Sequence, residues 1–330
     1  MTTSASSEQR WPAGLVDVHA HFLPTAFREA MRSQNRAMDD GSESGPEWSL
    51  DAAIEMMDRN AIAIAVISLP VMLHWGDDEA GRHLTRAINE SAAVAKRQFP
   101  SRFGGFASLP LPDVEGALRE IEYSLDELTL DGICLISNYD GIYLGDPRFE
   151  PVFAELGRRG AAVYVHPTAP PAIAAVSMGH SAVVIEYPFD TTRAVMNLVL
   201  SGTLDRYPGI RLIASHAGGT LPFLATRIAN APGRRVSDEV KAPFREYLRR
   251  MYFDTALSVD APQIASLLQI VNVEHVLFGS DWPFAPEGAV ARGSKELANN
   301  AALTPENLER IGRLNALSLL PGLPATEELA

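Results

Sequence analysis

Short apolar runs rich in β-branched residues recur along the chain, and each is followed by a longer stretch whose apolar positions carry helical spacing. The runs are LVDVHAHF (15–22), AIAIAVISL (61–69), RFGGFASL (102–109), DGICLIS (131–137), AAVYVH (161–166), IRLIASH (210–216), MYFDTA (251–256) and EHVLFGS (274–280). Near-continuous apolar runs of this length read as strands buried on both faces, the habit of parallel sheets. Helices are predicted between them over 49–60, 78–98, 113–128, 148–159, 190–206, 219–229 and 260–271, several with Asp, Ser or Thr near their starts.

Eight β/α repeats predict an α/β protein of the (β/α)8 TIM-type barrel class, a single domain with extra C-terminal helices over 288–300 and 304–318. A doubly wound sheet has fewer strands and a glycine-rich phosphate turn after the first, which this chain lacks. The expected organisation is a flexible polar tail over 1–12 and the barrel over 13–330. Two long segments, 33–48 and 167–189, both follow strands, so in a barrel they belong to the C-terminal face, where active sites are built.

Composition narrows the partners. Among 330 residues there are 28 Lys and Arg against 41 Asp and Glu, a formal net charge of −13, which argues against a phosphate-backbone partner. No segment reaches 18 uninterrupted apolar residues and the N-terminus lacks the apolar core of a signal peptide, so no membrane partner is expected. Cys134 is the only cysteine, which excludes an intrachain disulfide and thiolate metal clusters and makes a cytoplasmic setting the default.

The candidate chemistry begins with VDVHAHFLP, where His19 and His21 lie two apart and so share one side of an extended strand. Taken alone, such a pair is as readily two satisfied core histidines as two ligands of one metal. The other polar residues shift the balance: His166 ends the fifth strand, His216 the sixth and Asp281 the eighth, all on the rim where a barrel does its chemistry. Three neutral imidazoles and a carboxylate suit one divalent transition ion, zinc first and manganese second, held by His19, His21, His166 and Asp281. His216 is then an acid/base imidazole beside it. No lysine ends the fourth or fifth strand to bridge a second ion, so one metal is expected.

These motifs, H-x-H after the first strand, the later H-P, SHAGGTLPF and GSDWPF, resemble the metal-dependent decarboxylase branch of the amidohydrolase superfamily. That branch includes the aminocarboxymuconate semialdehyde, γ-resorcylate and 6-methylsalicylate decarboxylases. The resemblance runs from about Val16 to about Leu319 and assigns the metal and acid/base roles to the same five residues. The stretch ISNYDGIYLGDPRFEPVFAEL looks most like members acting on 6-methylsalicylate-type acids, which implies non-oxidative release of carbon dioxide from a small aromatic or related unsaturated carboxylic acid. The semialdehyde enzymes carry a carboxylate-gripping Arg in a longer first loop, and the loop up to Trp48 offers no counterpart. Arg227 matches an Arg that in relatives reaches a neighbouring subunit's pocket, implying a homodimer or homotetramer; an ordinary helix-surface Arg is an equal reading.

Other strand-end and rim residues are candidates for the substrate pocket: Phe22, Pro70, Met72, His74, Asn138, Tyr139, Phe189 and Phe284, each weighed against ordinary loop packing. Asp281 or His216 delivers the proton. The rival readings are a metal-dependent hydrolase or hydratase acting on a lactone, amide or unsaturated acid, and a catalytically silent barrel that binds a metal or partner.

Overall fold

All eight apolar runs form strands in the computed structural model, which describes residues 11, 14–38, 42–43 and 45–324. They are β1 (Leu15–His21), β2 (Ile62–Ser68), β3 (Phe103–Ala107), β4 (Gly132–Ile136), β5 (Ala162–His166), β6 (Arg211–Ala214), β7 (Tyr252–Asp254) and β8 (Val276–Leu277). They pair in chain order and every pair is parallel. Backbone bonds from Val18 N to Phe278 O (3.0 Å) and from Asp281 N to His19 O (2.7 Å) join the last stave to the first, closing a (β/α)8 barrel.

The continuous apolar pattern has a direct cause in this geometry. Val16, Val18, Ile64, Val66, Phe106, Cys134, Tyr164, Ile213 and Leu277 form one buried cluster inside the barrel. Leu15, Ile62, Phe103, Ile133 and Val163 on the outer faces pack in the cluster that includes the helix residues Met56, Met57, Ile88, Ala92, Leu156 and Leu198. Ala316, Leu319, Leu320 and Leu323 join the inner cluster, so the segment 316–323 plugs one mouth of the barrel. Caps set the helix starts: Ser49, Asp77 and Asp113 accept the N–H groups of Ala52, Ala80 and Gly116.

Several boundaries differ from the sequence expectation. The helix expected from 190 begins at Glu186 and ends at Leu200, with a short turn Thr203–Arg206 behind it. The helices expected over 113–128 and 304–318 widen into π turns at Tyr123–Glu127 and Arg310–Leu314. A helix over Thr25–Ser33, a short one over Phe244–Leu248 and a hairpin of Asn138–Tyr139 with Ile142–Tyr143 were not expected. Of the tail expected over 1–12, residues 1–10 and 12 lie outside the described residues, while Trp11 is buried against Gly312.

Candidate metal centre

Strict alternation along β1 would turn His19 away from the barrel interior, because Val16 and Val18 already face it. The pairing of β1 with β2 shifts register between Asp17 and Ala20, and there the Asp17 carboxylate accepts the backbone N–H of His19 at 3.0 Å. Such an irregularity re-aims the side chains that follow it. His19 and His21 then meet at 4.8 Å between ring centroids, and each lies close to His166 at the end of β5, at 5.2 and 5.1 Å.

Asp281 completes the group from the loop after β8. One ligand atom each from His19, His21, His166 and Asp281 lies within 4.8 Å of the others, and all four residues are buried. Asp281 Oδ1 stands 3.0 Å from His21 Nε2 and 3.3 Å from His19 Nε2; Oδ2 stands 3.6 Å from His216 Nε2. Two of these residues adopt left-handed backbone rare for non-glycine side chains, His216 at φ 54° and Asp281 at φ 64°. Strain of this kind is tolerated where surrounding contacts hold a side chain in place.

The residues fit a metal ion. Each ligand imidazole has its Nδ1 occupied behind the cluster: His19 by Asp254 (2.9 Å), His21 by the Ser68 carbonyl (3.3 Å) and His166 by the Pro167 carbonyl (2.7 Å). That arrangement orients Nε2 toward the centre, and His19 Nε2 is buried there without a hydrogen-bond partner. Burial works against a charge on His19, yet the carboxylates of Asp254 and Asp281 outweigh it and hold its pKa up at about 10. Burial together with the neighbouring imidazoles drives His166 well below the ordinary imidazole range. Asp281, although buried, is held far below the carboxylate range by His19, His21 and His216. The two carboxylates beside His19 thus favour positive charge at the convergence point, a demand that a divalent cation answers.

His166, His216 and Asp281 open onto a cavity of about 570 Å³. Its other walls are mostly apolar, among them Met38, Pro70, Val71, Val183, Leu257 and Phe284, and among the described residues no lysine or arginine lines it.

A family model described as Amidohydrolase matches residues 16–322. The chain belongs to that family. The 6-methylsalicylic acid decarboxylase of Aspergillus aculeatus is 38% identical over 329 residues, covering 94% of this chain and 97% of the relative. The γ-resorcylate decarboxylase of Rhodococcus jostii is 28% identical over 291 residues, 82% of this chain and 86% of its own. Among solved structures, the 5-carboxyvanillate decarboxylase of Novosphingobium aromaticivorans, complexed with manganese and 4-hydroxy-3-methoxy-5-nitrobenzoic acid, aligns with a TM-score of 0.86 at 20% identity, covering 97% and 99% of the two chains. In this amidohydrolase the span matched by the family model takes in all five polar strand-end residues.

The remaining candidates scatter. Pro70 and Phe284 line the cavity. Met72 and Asn138 line a neighbouring one of about 370 Å³, which shares the walls Met38, Val71 and Tyr187 with the first. Phe22, expected at the pocket rim, is buried in the core, its ring packed edge-on against Trp48 at 5.9 Å. Tyr139, expected beside substrate, is buried too: its hydroxyl accepts the N–H of Ile136 and its ring packs on Phe149. His74 bonds Asp78 at 2.6 Å at a helix start. Phe189 and Arg227 sit on the helices Glu186–Leu200 and Leu221–Asn230 and line neither cavity.

Sequence reasoning missed Asp254, the acid that ends β7 and touches the His19 ring, and Tyr164, whose hydroxyl donates to it at 3.1 Å. The signal was present in MYFDTA, a lone acid at a strand end among apolar neighbours. It also missed Asp17, whose buried carboxyl is pushed up to about 6 and accepts the N–H groups of His19 and Ser280.

Proposed function

We propose that the protein is a metal-dependent, non-oxidative decarboxylase of a small aromatic carboxylic acid of the hydroxybenzoate or methylsalicylate kind, a carbon–carbon lyase that releases carbon dioxide. One observation carries the reading: the donor cluster faces a mostly apolar cavity that, among the described residues, no lysine or arginine lines, so an anionic substrate meets positive charge at the cluster. A divalent ion held by His19, His21, His166 and Asp281 supplies that charge to the substrate's oxygens. Zinc suits three neutral imidazoles and one carboxylate; manganese, held by the carboxyvanillate relative, is the alternative. The 38% identity with a 6-methylsalicylic acid decarboxylase over nearly the whole chain supports the substrate class.

The apolar walls, Phe284 and Pro70 among them, accept an aromatic ring and exclude water from the reacting carbon. In the reaction the bond between ring carbon and carboxyl carbon breaks, carbon dioxide leaves, and a proton takes up the electron pair left on the ring. His216 and Asp281 both border the cavity within 3.6 Å of each other, and either delivers that proton. His216 is the group able to do so without leaving a ligand position.

The test is carbon dioxide release and ultraviolet loss from a panel of hydroxybenzoates and muconate derivatives with metal-loaded protein. In heavy water the product should carry one deuterium at the ring carbon that bore the carboxyl group. Ring opening of a lactone without gas, with every acid untouched, would instead establish the hydrolase. The proposal includes a homodimer or homotetramer in the cytoplasm. Exposed Met178, Val184 and Phe223 supply apolar surface for a second copy, and light scattering reads the state directly. No helix among the described residues is long and apolar enough to cross a membrane.

A further inference from the structure

Asp254 is fully buried and its carboxylate accepts four hydrogen bonds, divided between its two edges. Oδ2 faces His19 Nδ1 at 2.9 Å and the Tyr164 hydroxyl at 3.1 Å. Oδ1 faces the backbone N–H groups of His216 at 3.0 Å and Ala256 at 2.9 Å. One side chain therefore touches a metal-site imidazole through one oxygen and, through the other, the backbone of a residue held at φ 54°.

We infer that Asp254 is a positioning residue with two separable tasks: Oδ2 keeps the proton of His19 on Nδ1, leaving Nε2 free to bind the metal, and Oδ1 anchors the left-handed turn that aims His216 into the cavity. The inference builds on the proposed metal-dependent activity and extends it to a residue outside the ligand set. The physical reason is the difference between the donors on the two edges. Backbone N–H groups cannot relocate their protons, so a side chain at 254 must present an acceptor to them or leave them unpaired in a dry interior. His19 can tautomerise and Tyr164 can rotate its hydroxyl. An asparagine at 254 would accordingly turn its oxygen to the backbone edge and its NH2 to His19. Facing a donor, His19 would accept at Nδ1 and carry its proton on Nε2, the wrong tautomer for a ligand. An acid that orients a functional imidazole acts in this way elsewhere, and its amide replacement fails for the same reason.

The experiment compares wild type, Asp254→Asn and Asp254→Ala by chelator competition for zinc, by the histidine 15N shifts of zinc-loaded protein and by amide hydrogen exchange at His216. Asp254→Asn should weaken zinc by about 10- to 100-fold, the usual effect of losing a partner behind a ligand, and with zinc present its His19 should lose the Nδ1 proton and carry one on Nε2, which then no longer ligates the ion. It should keep the His216 amide protected. Asp254→Ala should weaken zinc and also expose that amide. Zinc affinity equal to wild type in Asp254→Asn, with the His19 proton still on Nδ1, overturns the first task; equal protection of the His216 amide in both variants overturns the second. If Asp254→Ala does not fold, the isosteric Asp254→Asn decides both, since loss of His216 protection there contradicts the assigned edges. None of these readouts needs a substrate, so they hold or fail apart from the decarboxylase assay.

Discussion

Gly279, in the motif preceding Asp281, is the most sensitive test of how tightly the barrel holds its metal site. An added Cβ there would lie 2.7 Å from His19 Cβ and 3.2 Å from both Cβ and Cγ of Asp254. The φ of Gly279 is not in the left-handed region, so an alanine meets no backbone penalty and the perturbation is purely steric. Ordinary carbon contacts begin near 3.4 Å, so His19 must yield by about 0.7 Å and Asp254 by about 0.2 Å. Both are fully buried on barrel strands, where overpacking costs about 1–3 kcal/mol. With an unfolding entropy of about 2.1 cal/mol/K per residue over 330 residues, Gly279→Ala should lower Tm by about 1.5–4 °C. The larger effect falls on function, since displacing a site group by about 1 Å can reduce rate about 100-fold. Calorimetry, metal affinity by chelator competition and kcat/KM on an accepted hydroxybenzoate measure the three consequences. Wild-type metal affinity and kcat/KM, with Tm lowered as expected, would refute the reasoning, because the strain would then have been absorbed away from His19 and Asp254.

Other substitutions separate roles that the sequence left open. His166→Ala should lose metal and activity together, and retention of both would remove His166 from the site. Phe22→Ala should destabilise the fold by about 3–5 kcal/mol through a core cavity while leaving KM nearly unchanged, whereas Phe284→Ala should raise KM with a smaller loss of Tm. The reverse pattern would return Phe22 to the pocket. Burial raises the Asp113 carboxyl and the Arg82 guanidinium lowers it, and the second wins, so its folded pKa lies below the ordinary 3.8. The stabilisation is complete above that ordinary value and disappears as pH falls through the lowered one; Arg82→Gln should therefore move the acid unfolding midpoint to higher pH, and an unchanged midpoint would argue against the pair.

The barrel was legible because each stave must be apolar on both faces, a pattern that local sequence records without reference to distant contacts. The polar strand ends were legible for a related reason: five imidazoles and carboxylates placed where apolar runs stop cannot be explained by the core. The aim of His19 was not fully contained in that pattern, since alternation from Val16 and Val18 points it outward and the register shift after Asp17 turns it back. Asp254 was missed because one acid at a strand end has many ordinary explanations until its neighbours across the barrel are known. The cavity walls contributed by Met38, Val183 and Leu257 come from loops, and no periodicity specifies where a loop passes. Phe22 and Tyr139 show the converse, aromatic residues near strand ends that turned into the core.

The charges around His19 connect this geometry to the choice of substrate. Two carboxylates touch its ring, Asp281 in front and Asp254 behind, and together they carry two negative charges in a fully buried setting. A divalent ion among three neutral imidazoles would balance both, leaving the loaded centre formally neutral, so it would hold one substrate carboxylate by ligation at the ion and not by surplus charge. Among the described residues the cavity wall adds none, because no lysine or arginine there lines it. A substrate with a single carboxylate on an apolar ring meets these conditions; a second carboxylate would be desolvated without a partner, which is strongly unfavourable. The product side is consistent with the same balance, since carbon dioxide and a decarboxylated ring leave the cavity without charge. The proposed substrate class, a monocarboxylate on an aromatic ring, fits what the described walls lack as much as what the ligands would supply.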